Sequence, residues 1–271
     1  RPSPEKVASW RGPSWEALTP CFEEIEQRIH AHPVDEALLG GNGRVLKRGC
    51  DHLGIELKPL VHNIRNCIGA GRCAFGCQQG AKMSMDRTFI PAAEAAGARI
   101  LPGHKVKRLH LRHGKISKIT GSNDEGAFEV SADAVILAMG ALATPAFLLK
   151  HRIANRSGRI GRGLCIHPAT RVAAEFDEII DGFNGLPQGA YIDHWADRGV
   201  MLEGIFTPPG PLAVSLPGAG PSLKHLIARY RYLSAFGVMV SDTATGKVGR
   251  RSLFNPLPVR YSLCNADAQS M

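Results

Sequence analysis

The sequence predicts a mixed α/β protein with two domains of different character. The first part alternates helical patterns with strands, and its residues 134–138 form an unbroken apolar run that leads into a glycine turn and a helix. From Arg171 onward short strands dominate, which is typical of a mainly antiparallel sheet. The 30 glycines and 18 prolines also favour strands and loops over a helix bundle. We therefore expect one domain over residues 1–167 and a second over residues 168–271.

Apolar periodicity and capping signals predict the elements of the first domain. A helical pattern opens at Ser14, and Ser84 and Gly97 bound another. Pro145 suits the first position of the last helix, and the apolar run before that helix suits a parallel strand buried on both faces. The expected helices are 13–32, 43–53, 84–97 and 144–150, and the expected strands are 99–101, 106–111, 115–120, 128–130 and 134–138.

The second domain is predicted from six strand-like segments and one clear helix. The segments are short and apolar, and glycine, proline and polar residues separate them. Asn265 and the residues that follow it resemble the start of a further helix. The expected strands are 171–176, 188–193, 200–206, 233–240, 246–250 and 259–263, and the expected helix is 223–232.

The net charge of +9 raises the question of a nucleic-acid partner. The densest basic stretch, residues 104–118, alternates with apolar residues such as Val106 and Leu109, as on the solvent face of a β-hairpin. Aromatic residues do not interleave these charges, whereas proteins that bind single strands usually combine charge with stacking rings. We therefore expect no nucleic-acid binding.

Hydropathy and cysteine usage bear on membrane insertion and compartment. No apolar run approaches the roughly 20 residues that a transmembrane helix needs, so no such segment is expected. The seven cysteines are an odd number, which argues against a fully paired secreted scaffold. They favour a reducing compartment and thus the cytoplasm, with the localisation otherwise open.

Three closely spaced thiols, Cys67-x5-Cys73-x3-Cys77, lie in a glycine-rich loop at residues 66–80. They suggest a zinc or iron–sulfur site, with His62 or Cys50 as a further ligand. The usual paired CxxC spacing is absent, however, and small thiols also pack well inside a loop. We therefore favour a packed loop with at most one disulfide, and metal binding stays the alternative.

The segment from Val135 to Pro145 combines a strand, a glycine turn and a helix start. In dinucleotide-binding α/β folds, ligands lie beyond the carboxyl ends of strands, where helix N-termini offer free N–H groups. The turn at Gly140 is therefore the best candidate for a ligand site. The sequence contains no GxGxxG fingerprint, and it lacks the GxSxG and HExxH motifs of hydrolases.

Taken in order, these segments resemble the glucose-methanol-choline (GMC) family of FAD-dependent alcohol oxidoreductases. The cysteine-containing form of these segments is similar to that of the branch with bacterial GMC enzymes and long-chain fatty alcohol oxidases. The resemblance covers nearly the whole chain and depends on all the segments in their order, not on any single motif. The segments that carry it in the first half are Gly71-Arg72-Cys73, Gly76-Cys77-x-x-Gly80-Ala81-Lys82-x-Ser84, Thr88-Phe89-Ile90-Pro91-Ala92-Ala93, Ala134-Val135-Ile136-Leu137-Ala138-Met139-Gly140-Ala141-x-x-Thr144-Pro145, Ile160-Gly161-Arg162-Gly163-Leu164 and His167-Pro168. In the second half, Pro187-Gln188-Gly189 to Glu203 and Ala235-Phe236-Gly237-Val238-Met239-Val240-Ser241-Asp242 resemble the same branch.

The resemblance implies a partial FAD-binding domain followed by a partial substrate-binding domain. It implies that the strand and its Gly-Ala turn lie beside FAD, and that the backbone at Val106 contacts adenine. The family's catalytic histidine is expected beyond Met271 and its GxGxxG before Arg1, so we expect an interior piece that binds FAD weakly and does not turn over alcohol alone. The cofactor-binding residues implied are Val106, Ala138, Met139, Gly140, Ala141 and Thr144.

The resemblance also implies a small-molecule alcohol as substrate, which is oxidised to an aldehyde or ketone, and it leaves the electron acceptor open. Two alternatives remain: an electron-transfer module centred on the three cysteines, and a non-catalytic interaction domain. Apolar residues of the second half would suit a lipophilic alcohol, although they would equally suit a domain core. These residues are Leu202, Ile205, Phe206, Leu212 and Leu216.

Overall fold

Two compact units make up the structure, a computed structural model, and each unit combines two separate segments of the chain. Unit 1 comprises Arg1–Ala98 and Ala169–Val240. Unit 2 comprises Arg99–Pro168 and residues 241–269. The structure describes residues 1–10, 12–243, 245–250, 252–256 and 258–269.

The chain passes from unit 2 back to unit 1 between Pro168 and Ala169. This passage lies beside the domain boundary that the sequence predicts at residue 167. The division into residues 1–167 and 168–271 stays a prediction. Each compact unit contains a second segment of the chain, and the change in sequence from mixed helices and strands to mainly strands did not indicate this.

The helices begin and end at residues whose local chemistry suits a terminus. The Ser14 side chain accepts the N–H of Ala17 at 3.3 Å and caps the second helix, which follows the predicted start. Gly54 ends the third helix at φ +66, in the left-handed region that favours glycine. In chain order the helices are α1 (Pro4–Ala8), α2 (Trp15–Arg28), α3 (Gly40–Leu53), α4 (Phe89–Ala95), α5 (Gly140–His151), α6 (Pro209–Ser215), α7 (Gly220–Ala228) and α8 (Asn265–Gln269).

Every strand pair is antiparallel in the part of the chain that the structure describes. In chain order the strands are β1 (Ala31–Pro33), β2 (Lys58–Pro59), β3 (Val61–Asn63), β4 (Lys105–Arg112), β5 (Lys115–Asn123), β6 (Gly126–Ser131), β7 (Arg162–Leu164), β8 (Ala169–Glu175), β9 (Ala190–Ile192), β10 (Val200–Gly204), β11 (Leu233–Val240), β12 (Gly246–Val248) and β13 (Val259–Arg260). Unit 1 contains a sheet of order β2-β9-β10-β11-β8 and the pair β1-β3. Unit 2 contains the sheets β4-β5-β6 and β13-β12-β7. The mixed α/β fold class is confirmed.

A buried asparagine fastens the start of α3 to the large sheet of unit 1. The Asn42 side chain donates to the Ala235 carbonyl at 3.0 Å, and its Oδ1 accepts the Ala235 N–H at 2.9 Å and the Ser234 hydroxyl at 2.6 Å. The neighbouring Gly41 leaves room for this approach, since a Cβ there would lie 1.6 Å from the Ile180 carbonyl oxygen. A buried side chain held by these three hydrogen bonds fixes one orientation of the helix on the sheet.

Most predicted elements form, with changes at their ends. The hairpin and meander correspond to β4, β5 and β6, and the strands of the second half correspond to β8 to β13. The predicted helix 84–97 divides into a 3-10 turn, Met85–Arg87, and α4. Pro145 lies inside α5, which begins five residues earlier. Ser270 and Met271, the end of the predicted C-terminal helix, lie outside the described residues.

Two predicted strands are wrong, and two helices, α1 and α6, were not predicted. Residues 99–101 and 134–138 are not strands in the structure. A strand needs neighbours that accept and donate its backbone hydrogen bonds, and in the described chain neither segment has them. Helix α1 follows Ser3, whose side chain accepts the N–H of Lys6, and α6 begins at a proline after Pro208 and buries Leu212.

Candidate functional site

The predicted nucleotide-binding turn lies at the start of α5 and is exposed. Met139 is 39% exposed, and Ala138, Gly140 and Ala141 are also exposed. Gly140 has φ +84, and among the described residues a Cβ at this position would meet no heavy atom within 4 Å. No side chain of the described chain caps this helix end, so the N–H groups of its first turn are available. Small residues and free N–H groups fit an anionic nucleotide.

The apolar run before the turn is covered on one face only. Val135 and Leu137 are half-buried, whereas Ala134, Ile136 and Ala138 are exposed. Ile136 is 90% exposed. The alternation has the period of a strand, although no neighbouring strand pairs with this run in the described chain. The prediction of a strand buried on both faces is therefore wrong for this structure.

Val106 lies in β4, opposite Gly121 of β5, and is half-buried. The register shifts between Val106 and Arg108, which places the extra residue, Lys107, in a β-bulge. A bulge leaves one residue out of the regular ladder and redirects the strand. The backbone beside Val106 is therefore less completely engaged by β5 than in a regular hairpin, which fits a backbone contact with a ligand.

Helix α5 and strand β4 meet at His151. The positive charge of Arg108 reaches this imidazole, and the backbone of Lys107 hydrogen-bonds with it. Burial, followed by the charges of Lys150 and Arg108, lowers the pKa of His151. Unit 2 thus holds the helix of the Gly140 turn against the strand of Val106. Thr144, the last of the predicted cofactor-binding residues, is half-buried in α5.

The three cysteines of the predicted loop share one cavity. Cys67, Cys73 and Cys77 are free thiols that line one small cavity of about 20 Å³. Among the described residues, however, no three His, Cys, Asp or Glu side chains are grouped so that they could hold a metal ion. The other suggested ligands have partners elsewhere: Cys50 packs in another cluster, and the His62 Nε2 lies 2.7 Å from the Gln188 carbonyl oxygen.

An apolar groove of about 470 Å³ lies between α3 and the large sheet of unit 1. Sequence reasoning missed it, because its lining comes from segments far apart in the chain. Of the suggested lipophilic residues only Leu202 lines it, whereas Phe206 and Leu212 are buried in a core cluster with Leu233. The groove is lined by Val45, Leu46, Arg48, Gly49, Cys50, His52, Leu53, Ile55, Phe176, Ile192, Trp195, Leu202 and Phe236.

The length and hydropathy of the helices bear on membrane insertion. Among those the structure describes, none combines the length and apolarity that crossing a bilayer requires.

Comparison with known proteins identifies the family. A family model described as GMC oxidoreductase matches residues 1–169. A GMC-type oxidoreductase of Mycobacterium tuberculosis is 34% identical over 244 residues, which cover 89% of this chain and 38% of that protein. A long-chain-alcohol oxidase of Arabidopsis thaliana is 32% identical over 253 residues, which cover 86% of this chain and 34% of that protein.

The fold is similar to that of a solved oxidase. The crystal structure of pyridoxine 4-oxidase from Mesorbium loti superposes with a TM-score of 0.71 at 16% identity, covering 100% of this chain and 60% of that one. This likeness concerns the fold alone, and the chain spans 38% or less of the two sequence relatives. Because the family model covers more than half of the residues, the chain belongs to the GMC oxidoreductase family.

Proposed function

We propose that this chain supplies part of the FAD site of an enzyme that oxidises the CH–OH group of a small-molecule alcohol to an aldehyde or ketone. GMC oxidoreductases are generally FAD-dependent, and the relatives include long-chain-alcohol oxidases. The observation that carries the proposal is the exposed turn at Gly140, whose small residues and uncapped helix end leave space and free N–H groups for a nucleotide.

The residues of unit 2 bind the adenosine side of FAD in this proposal. Ala138, Met139, Gly140 and Ala141 present backbone rather than bulky side chains, apart from the flexible Met139. The backbone beside the bulge at Val106 contacts the adenine. Thr144, half-buried one turn into α5, supports the first turn of the helix.

FAD supplies the redox chemistry when it is bound, because its flavin accepts a hydride from the alcohol carbon. The contribution of this chain is to bind and orient the nucleotide. The second half would contribute a sheet of the substrate domain.

A ligand competition tests which end of FAD the chain recognises. The 271-residue chain is titrated with FAD, and the quenching of flavin fluorescence reports binding. We expect ADP to displace FAD, because the two share the adenosine end, and we expect FMN not to displace it. Displacement by FMN but not by ADP would contradict the proposal, and so would failure of FAD to bind at millimolar concentration.

A pair of substitutions assigns the binding to the Gly140 turn. Met139→Asp places a carboxylate beside the free N–H groups and repels the FAD phosphates, so we expect about three- to tenfold weaker FAD binding. Met139→Asn has nearly the same shape without the charge and should bind FAD about as the parent chain does. Equal affinities for the two variants would move the nucleotide away from this turn.

A further inference from the structure

The cysteine loop brings three thiols around one cavity, and the proposed function assigns these thiols no role. Cys67, Cys73 and Cys77 all line the cavity of about 20 Å³, which is large enough for about one water molecule. All three side chains are half-buried, so reagents of small size can reach them. The three thiols therefore share one small space that a small oxidant can enter.

Cys67 and Cys73 share one apolar environment. Both pack against the same buried cluster, whose members are Val34, Leu39, Ile64, Leu186 and Ala190. Burial raises the pKa of the Cys73 thiol, and the neighbouring Cys67 raises it further, ahead of Cys77. Among the three thiols of the loop, Cys67 and Cys73 are the two that pack against this cluster.

The backbone between these two cysteines is held in place. The Gly185 N–H donates to the Gly69 carbonyl at 2.9 Å. Gly71 is buried at φ +70, and a Cβ there would lie 2.3 Å from the Phe183 carbonyl oxygen. Because these contacts already fix the loop, closing a bond between its two cysteines costs little additional chain entropy.

The surroundings of Cys73 suit it to the second of two reaction steps. Burial raises the pKa of the Cys73 thiol, so less of this residue than of an ordinary cysteine is in the thiolate form that peroxides oxidise. Cys73 is therefore better suited to attack a partner that is already oxidised than to react with a peroxide first. The N–H of Gly69 donates to the Cys67 Sγ at 3.4 Å, and the N–H of Lys82 donates to the Cys77 Sγ at the same distance.

We propose that Cys67 and Cys73 form an oxidative modification site, in which a hydroperoxide converts the two thiols to a disulfide. The Cys67 thiolate attacks the peroxide, breaking its O–O bond, and becomes a sulfenic acid while an alkoxide or hydroxide leaves and takes up a proton. The Cys73 sulfur then attacks the Cys67 sulfur, forming the S–S bond and releasing water. In total, two thiols and one hydroperoxide give one disulfide, one water and one alcohol, or a second water when the oxidant is hydrogen peroxide. Cys77 takes no part.

The positions of Arg65, Arg72 and Lys82 make the bond easy to assign. Trypsin cuts after these residues and places Cys67 in peptide 66–72, apart from Cys73 and Cys77 in peptide 73–82. The intact 271-residue chain is treated with one equivalent of hydrogen peroxide, alkylated, digested and analysed by mass spectrometry. We expect the two peptides to appear linked, and we expect reduction with dithiothreitol to separate them.

Three variants complete the assignment. The linked species should persist in Cys77→Ser and disappear in Cys73→Ser. Cys21→Ser, which removes an exposed thiol far along the chain from the loop, should leave the linked species unchanged. A disulfide inside peptide 73–82, a Cys67–Cys77 link, or full alkylation of all three loop cysteines after peroxide treatment of the parent chain would each overturn the proposal. These readouts do not depend on flavin binding, so they stand or fall separately from the proposed function.

Discussion

At the scale of single residues, the buried polar atoms of unit 2 decide how its stability responds to pH. The Nε2 atom of His151 is buried and, among the described residues, has no hydrogen-bond partner, while its ring packs 4.5 Å from that of Phe147. Burial and the charges of Lys150 and Arg108 lower the pKa of this imidazole below its usual value of about 6.5. The folded chain therefore prefers neutral His151.

This shift predicts a loss of stability in mild acid. Between the lowered pKa of the folded state and about 6.5, the unfolded chain binds the proton more readily, so stability falls as the pH drops through this window. Between pH 7.5 and 5.5, the melting temperature of His151→Gln should fall by about 1–3 °C less than that of the parent chain. Thermal unfolding followed by circular dichroism measures the difference. The exposed His52→Gln is the control, and a pH response of His151→Gln equal to the parent's would contradict the assignment.

At the scale of secondary-structure elements, sequence patterns succeeded where local signals were sufficient. Helix α2 follows from its apolar period and the Ser14 cap, and the β4–β5 hairpin follows from alternation across a glycine turn. Helix α3 begins three residues earlier than predicted, within a Gly-Gly-Asn-Gly sequence of poor helix formers. Packing against Ile180 and the bonds of Asn42 override that local preference, and both depend on residues about 140 to 190 positions away.

The same distinction applies to the candidate site. The Gly140 turn was predictable because a strand-like run, a glycine and a helix start are adjacent in sequence. The groove beside α3 was not, because residues as distant as Leu46 and Phe236 line it. Nor could the cavity among the three thiols be predicted, because spacing alone does not say whether side chains converge.

The exposed apolar run supplies a test of the correction to the predicted strand. Ile136 is 90% exposed, so Ile136→Ala should change the free energy of unfolding by no more than about 0.5 kcal/mol. Leu109, which is 5% exposed in β4 of the same unit, should cost about 2–4 kcal/mol when replaced by alanine. Urea denaturation measures both variants. A cost for Ile136→Ala as large as that for Leu109→Ala would mean that the run is buried in solution.

At the scale of the whole molecule, the domain boundary predicted at residue 167 differs from the division of the chain into two compact units. A linear cut at residue 167 keeps helix α3 and separates it from β8 to β11, the strands that form most of the sheet on which it packs. Without that sheet, the buried side chains of Leu46 and Asn42 lose their apolar and hydrogen-bonding partners. The lost hydrogen bonds of Asn42 and the lost apolar contacts of α3 together lower the free energy of unfolding by more than the total that a small domain has.

This argument predicts which piece of the chain folds alone. Residues 1–98 joined to residues 169–240 by a flexible linker of about 15 residues should unfold cooperatively, because unit 1 is then complete. Residues 1–167 should show no cooperative transition, because they contain only one strand, β2, of the five-stranded sheet. Thermal and urea unfolding followed by circular dichroism compare the two. The opposite result, with cooperative unfolding of residues 1–167 alone, would favour the linear domains of the sequence pattern over the compact units, since contacts within one continuous segment would then be sufficient for a stable core.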